Sequence, residues 1–375
     1  ESIISHSRVE SIISHSQIES RSPAAATKLP RSKPRPAPAL RLAPPTVSAS
    51  PVVESRSPAA ATRPPRSKPM TLGLLTFDLD DSLYPVGPVL ADANDVFVET
   101  MAQYGYSIEP QDIVNTGKRI REEAGPIAGA AMSHTEVRLK AIRREMEKCA
   151  KAPVSESDVE RVYSAWERER HHSAERHLYP EVISSLQKIK EHHPNVIIGA
   201  VTDGKANPMH MVFTLAPYFD FCMSWEDDAA GRTDFFKELS SVDGHADLQW
   251  IYKAAYEKYS EMAWNKGVLL GDDAEDDDGR PAWIHVGDDL AYDVGGSASC
   301  GANTILLDLD KEYEQTAKMR FFWGGGAVMP SWNTASDEEI SNRKAMNDAA
   351  EMMVDKRVSR LTLLPDVIDD ILKGE

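Results

Sequence analysis

Two aspartates two residues apart, Asp78 and Asp80, close an apolar run in Phe77-Asp78-Leu79-Asp80-Asp81-Ser82-Leu83-Tyr84. The run before them, Leu72 to Thr76, reads as a buried strand. Positions i and i+2 of a strand share a face, and the chain bends where a strand ends, so both carboxylates can converge on one small volume. Like charges at that spacing repel. A bound divalent cation relieves the repulsion and makes the pair useful. One carboxylate can then attack phosphorus, while the other protonates the leaving group and later deprotonates water. The plain alternative is a solvated acidic turn, and two more strand-end motifs, near residues 202 and 288, weigh against it.

Val196 to Val201 reads as a second buried strand ending in Thr202-Asp203-Gly204. A threonine hydroxyl followed by turn residues offers a donor and free backbone N–H groups, a way to hold a phosphoryl oxygen. Ala282 to Val286 reads as a third strand, running into Gly287-Asp288-Asp289-Leu290-Ala291-Tyr292-Asp293. Gly287 permits a tight turn that sends the next carboxylates to the same sheet edge. Asp288 is a candidate cation ligand, and Asp293, one helical turn past Asp289, can support the site from behind. Mg2+ prefers oxygen ligands of this kind, few from the protein and the rest from water and phosphate.

This order of motifs resembles the haloacid dehalogenase superfamily over roughly residues 72–372. The resemblance implies a phosphatase-type member with a helical cap between motifs one and two. It implies Asp78 as the nucleophile that forms an aspartyl-phosphate. Asp80 is then the general acid/base, its backbone carbonyl also on the metal, and Thr202, with Asp203 and Gly204, is the phosphoryl holder. Asp288 is the remaining metal ligand, helped by Asp289 or Asp293, so the expected Mg2+ set is Asp78, Asp80, Asp288 and Asp293. True dehalogenases of the superfamily lack the second aspartate of motif one; its presence here favours phosphate chemistry. The family also expects a lysine shortly before a helix. Gly231-Arg232-Thr233 is followed by Asp234 where that lysine falls, and Ile251-Tyr252-Lys253 matches the helix beyond. Lys237 is the first candidate for the charge, Lys253 the second, and Arg232 a substitute.

Helical periodicity fills the stretch between the first two motifs, at residues 86–104, 109–123, 133–150 and 155–172, with Ser133 and Ser155 as N-terminal caps. Elsewhere helices and strands alternate, which implies a mostly parallel sheet. The expected fold class is α/β: a Rossmann-like core over residues 70–85 and 180–375, with an inserted α-helical cap over residues 86–179. Ligands in such sheets bind at the strands' carboxyl ends, where all three motifs lie.

Residues 1–69 are a different object. They repeat ESIISHS and ESRSPAAAT segments, hold 12 of the 24 prolines, and carry a charge of +7 against −24 for the rest of a chain with net charge −17. Too few large apolar residues stand there to offset chain ordering, so the segment reads as disordered, a transit peptide or a repetitive stretch outside the fold. The acidic remainder does not suit nucleic acid or an anionic membrane, and no apolar run reaches the roughly 20 residues of a bilayer span. Three scattered cysteines indicate a reducing compartment and buried packing roles. The expected location is the cytoplasm, or a plastid or mitochondrion if the leader is a transit peptide. The acidic run 272–278 reads as a solvated insertion, and His171, His172, His192 and His193 as solvent-facing. The expected function is Mg2+-dependent hydrolysis of a small phosphorylated metabolite by a monomer or homodimer. A phosphomutase using the same site and a phosphate-binding scaffold are the alternatives.

Overall fold

The computed structural model describes residues 70–150, 153–239, 249–266, 280–315 and 345–374. The readings for residues 1–69 and for the acidic run 272–278 lie outside the described residues. Six strands, β1 (Leu72–Phe77), β2 (Ile197–Thr202), β3 (Phe221–Ser224), β4 (Ala282–Gly287), β5 (Asn303–Leu307) and β6 (Lys356–Val358), form one sheet in the order β3-β2-β1-β4-β5-β6. Every neighbouring pair is parallel. The near-continuous apolar composition of β1, β2 and β4 is the cause: strands covered on both faces have no solvent side on which to alternate polar residues. The strand order reverses direction between β1 and β4, and it is there that a doubly wound sheet leaves a crevice outside its carboxyl edge.

Five helices, α1 (Val86–Gln103), α2 (Pro110–Ala124), α3 (Pro126–Ala131), α4 (His134–Cys149) and α5 (Glu156–Arg176), are all inserted between β1 and β2. Helices α6 (Val182–His192), α7 (Ala229–Leu239), α8 (Gln249–Asn265) and α9 (Leu364–Lys373) belong to the alternating part of the chain. The spacing-based helix limits hold to within a few residues. Ser133 caps α4 as expected, accepting the Glu136 N–H at 3.0 Å. Ser155 does not cap α5: its hydroxyl turns to that of Ser157, 2.8 Å away.

Most of the apolar packing among the described residues falls into three clusters. One sheet face buries Leu75, Ile198 and Ile284 against Leu186 of α6 and Ile368 of α9. The other buries Leu74, Val201 and Trp283 against Tyr252 and Ala255 of α8. Helices α1, α2, α4 and α5 enclose a cluster of their own that includes Phe97, Met101, Ile142, Met146 and Trp166. Each of these large side chains contributes about 1.5–3 kcal/mol by leaving water, enough to give the inserted helices an independent reason to assemble. The chain leaves the sheet at Leu83 and returns at Tyr179, and the two crossings are joined by a 3.0 Å hydrogen bond from the Tyr179 N–H to the Leu83 carbonyl.

Further expectations do not hold: His193, expected to face solvent, is half-buried with Nε2 3.0 Å from Asp369 Oδ1. His171 does not face solvent. It is buried, with Nδ1 2.8 Å from the Glu167 carbonyl oxygen and Nε2 accepting the Asn207 N–H at 3.2 Å. The Asn207 donor fixes the neutral tautomer, and burial followed by the charge of Arg170 pushes the imidazole down to about 4. The cysteines are not buried: Cys149, at the outer end of α4, is exposed, and Cys222 and Cys300 are half-buried. Among the described residues no helix is long and apolar enough to cross a membrane.

Candidate active site

The motif loop after β1 is tightly determined. The Asp78 N–H donates to the Val286 carbonyl at 2.9 Å, carrying the β1–β4 pairing one residue past the strand and fixing Asp78 at the crevice. Asp81 then turns the chain with φ 62°, a left-handed conformation costly for a residue with a Cβ. It is held there from three directions. Its N–H donates to the Tyr84 carbonyl at 2.8 Å, its own carbonyl accepts from Gln315 Nε2 at 2.9 Å, and its carboxylate accepts the Val86 N–H at 2.9 Å. That last bond caps α1, whose N-cap residue is Pro85 and offers no side-chain acceptor.

Asp78, Asp288 and Asp293 meet. One oxygen of each lies within 4.8 Å of the others. Ser82, fully buried and without a signal of its own in the sequence, places its Oγ 3.2 Å from Asp78 Oδ2 and 3.3 Å from Asp288 Oδ1, between the two. Asp293 is aimed by a π-helical stretch, Leu290–Gly296, in which the Val294 N–H reaches back five residues to Asp289. Such wide turns concentrate at functional sites because they re-aim a side chain. Asp293 Oδ2 accepts the Asp289 N–H at 2.9 Å and lies over Gly287, where a Cβ would come within 2.2 Å of that oxygen. Gly287 is therefore needed for close approach as well as for a turn. Asp289 points the other way, accepting the Tyr292 N–H at 2.8 Å.

Beneath the cluster runs a buried polar chain. Trp283 Nε1 donates to Thr76 Oγ1 at 2.9 Å, and Thr76 Oγ1 lies 2.8 Å from His285 Nδ1. The other nitrogen of the His285 ring, Nε2, lies toward the acidic cluster. That nitrogen faces Tyr252 Oη at 3.4 Å and Asp293 Oδ1 at 3.6 Å, while the Tyr252 hydroxyl donates to Asp293 Oδ1 at 3.3 Å.

The Asp78 carboxyl is held well above the usual carboxylate range, first by burial and then by the charges of Asp293, Asp288, Asp203 and Asp80. An all-oxygen donor set whose members repel one another is what a hard divalent cation fits: its charge removes the repulsion and the oxygens suit its coordination. Asp78, Asp288 and Asp293 are the side chains that fit it. The Asp80 carboxylate is turned elsewhere, taking Nη2 of Arg170 on both oxygens at 2.9 and 2.6 Å. Burial alone would pull the guanidinium down, but the charge of Asp80 more than offsets this and holds it up. The Tyr84 hydroxyl sits beside both without hydrogen-bond geometry, and burial, then the Asp80 charge, pushes it up. Thr202, fully buried, accepts the Gly204 N–H on Oγ1 at 3.1 Å. A Cβ on Gly204 would lie 2.8 Å from Asp80 Oδ2, 3.4 Å from Thr202 Oγ1 and 3.6 Å from Arg170 Nη2, so motifs one and two and helix α5 come together at this glycine. Asp203 is half-buried beside them.

The three basic candidates lie differently. Lys237 is exposed and paired with Asp234 at 3.1 Å. Lys253 is exposed on α8. Arg232 is buried, but its Nε and Nη1 donate to the carbonyls of Ala131 (2.8 Å) and Trp225 (2.7 Å), joining α3 to α7. Among the described residues the cation that meets these acids is Arg170, on Asp80. A sequence signal for it existed: Tyr163, Trp166, Arg170 and Ala174 form one buried helical stripe, and an arginine there needs an anionic partner.

The chain thus folds as a doubly wound parallel sheet, with a DxD loop after β1, an all-helical insertion following it and acidic turns at the edge of β4. Three solved structures show what the chain is similar to, each at low identity. A 2-haloacid dehalogenase from Pseudomonas syringae is 16% identical, with 80% of this chain and 98% of that one covered at a TM-score of 0.46. A HAD phosphatase from Thermococcus onnurineus is 15% identical, with 79% and 98% covered at 0.35. YfnB of Bacillus subtilis, a HAD-type protein crystallised with magnesium, is 13% identical, with 64% and 89% covered at 0.34. No protein-family model and no curated protein matches the chain.

Proposed function

We propose that this chain is a Mg2+-dependent phosphatase acting on a small phosphorylated metabolite through an aspartyl-phosphate on Asp78. The observation that carries the reading is the division of labour between two neighbouring carboxylates. Asp78 is buried among Asp288 and Asp293, while Asp80 is held apart by Arg170. A bound Mg2+, held by Asp78, Asp288 and Asp293, supplies charge neutralisation at the phosphoryl group. Asp78 attacks phosphorus and the bond from phosphorus to the leaving oxygen breaks, with a proton passing from Asp80 to that oxygen. Asp80, now ionised and paired with Arg170, is suited to the second half: it takes a proton from water as the water oxygen attacks phosphorus and the bond to Asp78 breaks. Thr202, whose oxygen already accepts from Gly204, has its hydroxyl proton left to donate to a phosphoryl oxygen. We assign the positive charge expected of Lys237 to Arg170, and read α1–α5 as a cap that excludes water.

The test is phosphate release from a generic aryl phosphate by the full chain, with Mg2+ and with chelator, beside Asp78→Asn. Metal-dependent release that the variant loses is the expected result. Full turnover in the variant would overturn the reading. An isomerised sugar phosphate without free phosphate would move the assignment to a phosphomutase.

A further inference from the structure

Asp293 is held at both of its carboxylate oxygens. Oδ2 accepts the Asp289 N–H at 2.9 Å, and Oδ1 accepts the Tyr252 hydroxyl at 3.3 Å. The end of β4 closes a third side. A Cβ on Gly287 would come within 2.2 Å of Oδ2 and 2.3 Å of Cγ, so the carboxylate packs directly on the backbone of that glycine. The backbone of Asp293 is fixed as well: its N–H donates to the Asp289 carbonyl at 3.0 Å, and its carbonyl accepts the Ser297 hydroxyl.

Tyr252 is as firmly set as the group it holds. It is fully buried on α8, in the apolar cluster of Leu74, Val201 and Trp283. Its ring meets the His285 ring edge-on, with centroids 5.0 Å apart. His285 is tied in turn to β1, where Thr76 Oγ1 lies 2.8 Å from Nδ1. A side chain already ordered by packing loses little further freedom when its hydroxyl holds Oδ1.

A carboxylate fixed in this way offers a cation one oxygen, at an angle the protein sets. To chelate through both oxygens it must turn, and turning breaks the bond to Tyr252 or the bond to Asp289. Hard divalent cations differ in that demand. Mg2+ is small and requires single oxygens in near-octahedral array, whereas Ca2+ is larger, takes up to about eight oxygens and readily uses a bidentate carboxylate.

We propose that Tyr252 is a positioning residue that makes the acidic cluster selective for Mg2+ over Ca2+, by confining Asp293 to one oxygen. The proposal deepens the phosphatase reading and rests on it in one respect, that Asp78, Asp288 and Asp293 are the cation ligands.

The test is calorimetric titration of the metal-stripped full chain with MgCl2 and, separately, with CaCl2, for wild type and for Tyr252→Phe. The variant keeps the ring and its packing and removes the hydroxyl alone. Wild type should bind Mg2+ more tightly than Ca2+. In the variant Mg2+ binding should weaken by about tenfold, the loss usual when a ligand's orienting partner is removed, while Ca2+ binding holds or tightens. A loss of packing alone would weaken both cations alike, and a melting curve in chelator reports whether the variant folds. The wild-type comparison needs no variant: a chain that binds Ca2+ as tightly as Mg2+ overturns the proposal. So does a Mg2+ to Ca2+ ratio that Tyr252→Phe leaves unchanged. In either case metal-dependent release of phosphate from an aryl phosphate leaves the phosphatase reading intact. Binding of neither cation overturns the ligand assignment on which both readings stand.

Discussion

Replacing Asp78 by asparagine should make the metal-free protein more stable while removing its activity. At 4.8 Å, the outer limit of the oxygen spacing in the Asp78, Asp288 and Asp293 cluster, two unit charges repel by about 3.5 kcal/mol at an effective dielectric constant of 20. Two such pairs exceed the cost of simply protonating a carboxyl at pH 7, about 4 kcal/mol from an ordinary value near 3.9, so protonation sets the ceiling. Asparagine imitates the protonated acid, and its oxygen still accepts from Ser82. The expected gain is roughly 2–4 kcal/mol at pH 7, or about 4–10 °C in Tm for a domain of this size. The sign with pH is set by the raised folded-state pKa of Asp78. Its native form binds the proton more tightly than the unfolded chain does, so wild-type stability falls as pH rises from about 4 toward the folded-state value. The advantage of the variant should therefore shrink near pH 4 and be full above the folded-state value. Thermal melts in chelator at pH 4.5 and 8 measure this, and in a parallel series Mg2+ should stabilise the wild type by about 2.7 kcal/mol at a hundred times its dissociation constant, closing most of the gap to the variant. An asparagine variant that melts at or below wild type in chelator at pH 8 would refute the charge-repulsion reasoning.

Arg170→Gln leaves Asp80 without its partner in a largely buried position. Discounting for the part-exposure of Asp80, about 1–3 kcal/mol of stability should be lost, and aryl phosphate turnover should fall by about a hundredfold; unchanged kcat would remove Arg170 from the mechanism. Gly287→Ala places a Cβ on Asp293, and the Mg2+ concentration for half-maximal activity should rise about 10–100-fold, read from a metal titration. His171, held down to about 4, opposes folding as pH falls below its unfolded value near 6.5. A change to a neutral acceptor, His171→Gln, should flatten the loss of Tm between pH 6.5 and 5, and an NMR titration that finds His171 protonating near 6.5 would contradict the buried neutral tautomer.

What the sequence determined by itself are the features written in local order. Asp78, Asp80, Thr202, Asp288 and Asp293 each sit one to seven residues beyond an apolar run, and a strand ending in a polar turn delivers its next side chains to the sheet's carboxyl edge whatever the rest of the chain does. The long helices between the first two motifs were legible in the same way, because a 3.6-residue period needs no partner to be seen. The positive charge was not. Lys237, Lys253 and Arg232 stand in the sequence stretch expected to supply it, whereas the arginine on Asp80 comes from 90 residues away along the chain. Ser82 presented only as a turn residue until β4 brought Asp288 to it from 206 positions further on. His285 and Tyr252 read as strand and helix filler, and only the packing of α8 on the sheet turned them into a support for Asp293. Electrostatic partners act over a few ångströms of space with no regard for sequence separation, so the tertiary structure alone decided which cations neutralise the acids that local order had already set in place.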